Sequence, residues 1–126
     1  MTCFWDAILR NLRSNSDVYK ILNNANSPKE LVTVLKAKNT LTTCIIWQEE
    51  QFTKLQLKEN HEWIKDYDIS MIHKGHMTSS CDPFFCLLVY LLNIKIIHNY
   101  SGHEIIYSSK SPKKTFKFSS SKSHMR

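Results

Sequence analysis

Glycine is nearly absent from this 126-residue chain, with two residues, and proline is scarce, with three. With only Gly75 and Gly102 available, a glycine-rich phosphate-cradling loop cannot be built, which sets aside nucleotide binding of that kind. No run approaches the ~18 uninterrupted apolar residues of a spanning helix. The longest, PFFCLLVYLL at 83–92, has the length of a core helix. The N-terminus lacks a basic segment followed by an apolar one and a small-residue cleavage site, so a secretory leader is not expected and an intracellular, cytoplasmic setting is. Acidic residues are missing altogether from 110–126, where Lys110, Lys113, Lys114, Lys117, Lys122 and Arg126 carry the whole net charge of +6. The remainder is formally neutral.

What is present points to one folded domain over 1–126. Hydrophobic residues make up 42% and aromatic residues 11%, enough for a single core and too much for disorder. Cys3, Cys44, Cys81 and Cys86 sit in helix-like or apolar contexts and read as free thiols.

Apolar spacing predicts a helix over 3–13, a short amphipathic turn or helix over 17–24, and a further helix opened by Ser27 as N-cap with Pro28 and Glu30 behind it. TLTTCIIW at 40–47 fits a strand or a helix start equally. The stretch from Gln48 to Tyr67 contains no Gly or Pro and predicts one helix, with a break near Asn60, and 68–80 reads as a loop. Asp82 and Pro83 open a strongly apolar helix that Asn93 ends. Short β-rich runs follow at 94–100, 103–109 and 115–119. The expected class is α+β, helices followed by a small antiparallel sheet.

Cysteine acts as a nucleophile in its thiolate form, and a helix start stabilises that anion. Cys3 stands at such a start. A histidine suits the role of general base near neutral pH, and His124 comes just after the last expected strand. CFWDAI at 3–8, the helix–loop–helix–strand segment 62–100, and TFKFSSSKSHM at 115–125 follow one another in an order that resembles the ovarian-tumour-type (OTU) cysteine peptidases, a papain-like group that includes deubiquitinases. The resemblance implies Cys3 as nucleophile, His124 as base, and ubiquitin or a ubiquitin-like protein as partner, with no cofactor and no metal. Asn99, on a strand expected near the last one, is the candidate orienter of the histidine.

The chain departs from the family pattern in three places. Only Met1 and Thr2 precede Cys3, HMTSSCDP replaces the usual Trp-Gly-Gly, and Arg126 follows His124 by two residues. A catalytically inactive member that binds a protein is therefore the alternative. The lysine-rich end, with Phe116 and Phe118 flanking Lys117, suggests polyanion or nucleic-acid binding as another, although period-2 alternation explains those phenylalanines more simply as the core face of a strand. His73, His76, Cys81 and Cys86 have zinc-ligand chemistry, but Cys86 falls within the apolar helix and core burial explains it better. Asp6 reads as a partner of the helix dipole. The Lys-, Asn- and Ile-rich composition resembles that of a large DNA virus or an intracellular parasite.

Overall fold

The computed structural model describes residues 3–74, 82–100, 102–121 and 124–125. Three helices come first: α1 (Cys3–Arg13), α2 (Ser16–Ile21) and α3 (Pro28–Ala37). The third begins where the sequence marks it. Ser27 accepts the Glu30 N–H at 3.2 Å, and the Glu30 carboxylate in turn accepts the Asn26 N–H at 2.7 Å.

The stretch expected to be one helix from 48 to 67 divides. Strands β1 (Ile46–Trp47) and β2 (Glu50–Gln51) form a small hairpin whose turn residues Gln48 and Glu49 both have positive φ, 50° and 69°. Helix α4 (Lys54–Lys65) starts only after it and runs unbroken past Asn60. Thr53 and Gln56 fix that start as a reciprocal capping box: each side chain accepts the other residue's backbone N–H. Part of the segment expected as loop is a short 3-10 helix, Ile69–Lys74; Gly75 lies outside the described residues.

Helix α5 (Pro83–Leu92) is buried almost all round, including Phe84, Phe85, Cys86, Leu87, Leu88, Val89 and Leu92. It packs on the sheet on one side and on α2, α3 and α4 on others, so every face needs apolar residues. Asp82 caps its start by accepting the Phe84 N–H at 2.9 Å, and Asn93 closes it in the left-handed conformation with φ 54°.

Strands β3 (Lys95–Tyr100), β4 (His103–Ser108), β5 (Thr115–Ser121) and β6 (His124–Met125) complete a sheet of order β2-β1-β4-β3-β5-β6. The sheet is mixed, not antiparallel throughout: β5 runs parallel to β3. The reason lies in the connector after β4. Ser109 N–H donates to the Ile94 carbonyl, Lys113 N–H to Asn93 and Lys95 N–H to Lys114, so residues 109–114 are tied across the start of β3. The chain then enters β5 on the far side of β3, heading the same way.

Alternation along the central strands is strict. Ile96, His98, Ile105, Tyr107, Phe116 and Phe118 are buried toward α5, while Asn99, Glu104, Thr115, Lys117 and Ser119 are exposed on the opposite face. Phe116 and Phe118 therefore belong to the core, as their period-2 alternation indicates, and cannot stack bases. No helix among the described residues is long and apolar enough to cross a membrane.

Candidate functional site

The two ends of the chain meet at the level of the backbone. Cys3 is the first residue of α1, and His124 the first of β6. Cα atoms of these two elements approach within 8 Å. Strand β6 pairs antiparallel with β5, Ser121 opposite His124 and Ser120 opposite Met125. The side chains of Cys3 and His124 themselves lie outside the described part of the structure. Because α1 begins at Cys3, its first-turn N–H groups have no helical carbonyl to bond, which makes that end favourable for an anion.

Asn99 stands on β3, opposite Ser119 of β5, so one strand separates it from β6. It is exposed, and its side-chain oxygen accepts the Gly102 N–H at 3.1 Å in the β3–β4 turn. Asp6 is exposed in the first turn of α1. His98 is buried with its ring edge-on to Phe85, centroids 5.2 Å apart, and His103 is exposed.

Cys44 is exposed, and Cys86 is fully buried within the core. Among the described residues no group of three or more His, Cys, Asp or Glu side chains converges to hold a metal. The His73 side chain, His76 and Cys81 of the zinc-type series fall outside the described part. No family model matches the chain, and neither does any curated protein or solved structure.

One cluster near the start of α1 was not anticipated. Trp5, two residues after Cys3, is buried with its ring edge-on to Phe84 at 4.8 Å and to Tyr67 at 6.4 Å. Tyr67 also meets Phe84 at 5.2 Å and Trp63 at 5.6 Å. Burial raises the Tyr67 hydroxyl pKa above its usual 10.0, against the easing effect of the Trp5 indole N–H, and the charges of Asp82 and Asp68 push the same way as burial. Asp82 is fully buried beside these rings, and its N–H donates to the Tyr107 hydroxyl at 2.9 Å.

Tyr67, just past the end of α4, and Phe84, at the start of α5, thus meet at Trp5 in the first turn of α1. The sequence carries a trace of this in Trp63 and Tyr67, which close the stretch expected to be helical, although the helix stops at Lys65 and leaves Tyr67 beyond it. Their common target, Trp5, could not be read from spacing.

Proposed function

We propose that the chain is a small OTU-like cysteine peptidase that cleaves the bond at the C-terminus of ubiquitin or a ubiquitin-like modifier, with Cys3 as nucleophile and His124 as general base. The observation that supports the reading is the approach of β6 to α1, elements whose first residues are the two proposed partners. His124 takes the thiol proton as sulfur attacks the modifier's terminal carbonyl. The proton passes to the departing amine as the C–N bond breaks, leaving a thioester. Water, activated by the same imidazole, hydrolyses the thioester and returns the free thiol. Asn99, whose amide oxygen accepts the Gly102 N–H and keeps a second lone pair, stays the candidate orienter of the imidazole.

The test is a ubiquitin probe bearing an electrophile at its C-terminus, followed by peptide mapping of the adduct. The expected result is one adduct, on Cys3, lost in Cys3→Ala and strongly slowed in His124→Ala. An adduct on exposed Cys44, or equal labelling without His124, would remove the reading. Tight binding of unmodified ubiquitin without any adduct would instead favour the inactive, protein-binding member of the fold.

A further inference from the structure

The sheet has one face packed on α5 and one face turned outward. Register places three rows on the outward face. Ile46, Ser108, Lys95 and Thr115 form the first; Ile106, Ile97 and Lys117 the second; Glu104, Asn99 and Ser119 the third. Ile97 and Ile106, directly opposite one another, are half-buried but take no part in the core cluster. Antiparallel sheets often leave a solvated face, so openness alone decides nothing.

The charge on this face is uneven. Lys95 and Lys117 stand on it. Lys110 and Lys113 lie on the connector that crosses its edge, where three backbone hydrogen bonds to Asn93, Ile94 and Lys95 hold the chain in place. The fifth lysine of this corner, Lys114, is spent on Asp17 at 2.6 Å and on Asn15 at 3.1 Å. Glu104, in the row farthest from the connector, is the one acid in the three rows. Thr115, Ser119 and Asn99 supply hydroxyl and amide donors between the lysines, whereas the Ser108 hydroxyl donates to the Ser109 carbonyl at 2.8 Å. Lysines interleaved with short hydroxyl side chains are the group types that hold phosphate oxygens without reading sequence.

We propose that the outward face of the sheet, edged by Lys95, Lys110, Lys113 and Lys117, binds the phosphodiester backbone of a single-stranded nucleic acid. A single strand fits better than a duplex because the Ile97–Ile106 pair offers apolar area that only unpaired bases can cover. No aromatic ring belongs to the three rows, so binding is weak in sequence preference and governed by charge. The face is distinct from the junction of α1 and β6, and the inference stands whether or not Cys3 is a nucleophile.

The experiment uses the full chain and a fluorescently labelled single-stranded DNA of about 20 nucleotides, long enough to span several single-strand site sizes. Anisotropy is followed from low to moderate salt for the parent, for K95Q/K117Q, and for K58Q/K65Q, which removes the same charge from exposed positions on α4. All four positions are at least partly exposed, so each variant should keep the fold. The expected result is binding that weakens steeply with salt. K95Q/K117Q should lower the slope of log K against log salt by about 1.4, or ~0.7 per lost single-strand contact, and K58Q/K65Q should leave it unchanged. No binding at low salt, or equal loss in the two double variants, would overturn the proposal. Tighter binding of the matching duplex would overturn the choice of a single strand, and full competition by poly-glutamate would assign the face to acidic protein instead.

Discussion

Asp82 shows how much a single buried carboxylate does in this fold. Its side chain holds the Phe84 N–H, its own N–H is held by the Tyr107 hydroxyl, and its charge bears on Tyr67. Asp82→Ala should cost about 1–2 kcal/mol through the lost cap alone. Tyr107→Phe should cost a further ~1–3 kcal/mol because a buried N–H loses its acceptor. Urea denaturation measures both, and a change below a few tenths of a kcal/mol for either would contradict these roles. The Tyr67 hydroxyl has a folded pKa above its unfolded value of 10.0, so its contribution to stability is complete below pH 10.0 and is lost as pH rises through the folded value. Asp82→Asn should bring that titration down part of the way, since burial, the larger cause, remains. Phenolate absorbance followed against pH reads the shift. Asp82 was legible as a cap from the Asp-Pro pair; its partner Tyr107, 25 residues away, was not, because no local pattern encodes a contact across the core.

Elements whose ends carry their own chemistry were legible, and those set by turns without glycine were not. Ser27-Pro28, Asp82-Pro83 and Asn93 mark α3 and α5, and each of these residues stands where it was expected. The β1–β2 hairpin escaped because its turn uses Gln48 and Glu49 in left-handed backbone, where the usual signal is Asn-Gly or Asp-Gly. Gln48 compensates with its side chain, whose oxygen accepts the Ile106 N–H at 3.0 Å while its backbone N–H donates to the Ile106 carbonyl at 3.1 Å. Glu49 shows no such compensation in its backbone position. Glu49→Gly should therefore stabilise the protein, by about 0.5–1 kcal/mol, since relief of the ~1–2 kcal/mol left-handed cost exceeds the added unfolded-state entropy. A fall in stability on thermal or urea unfolding would show that the turn is not strained. Thr53→Ala tests the neighbouring start of α4: loss of about 1 kcal/mol is expected, with faster amide exchange confined to the first turn of that helix.

At the scale of the whole molecule, sequence order predicted the α+β class and the grouping of strands after helices, but not the direction of β5. Direction depends on how residues 109–114 cross β3, and that is decided by hydrogen bonds to Asn93, Ile94 and Lys95, not by any property of the connector itself. The Lys114–Asp17 pair then ties the start of β5 to α2. Lys114 holds the Asp17 carboxyl below its usual 3.8, so this contribution is present above pH 3.8 and is lost as pH falls through the lower folded value. Lys114→Met should flatten the acid limb of the stability profile in that window.

The candidate site is legible in the same partial way: chain order put a cysteine at the first helix and a histidine after the last expected strand, but no pattern gave β6 or the aromatic seat around Trp5. Two truncations separate fold from site. Removing 115–126 takes β5 out of the sheet and Phe116 and Phe118 out of the core, each worth roughly 1.5–3 kcal/mol of burial in a fold whose total stability is of order 5–15 kcal/mol. Cooperative unfolding should disappear. Removing 122–126 instead takes away β6 with His124 and leaves β5 paired to β3, so the chain should still unfold cooperatively at a lower urea midpoint while losing reaction with the ubiquitin probe. Retention of probe labelling by this shorter chain would show that β6 supplies neither the base nor its position.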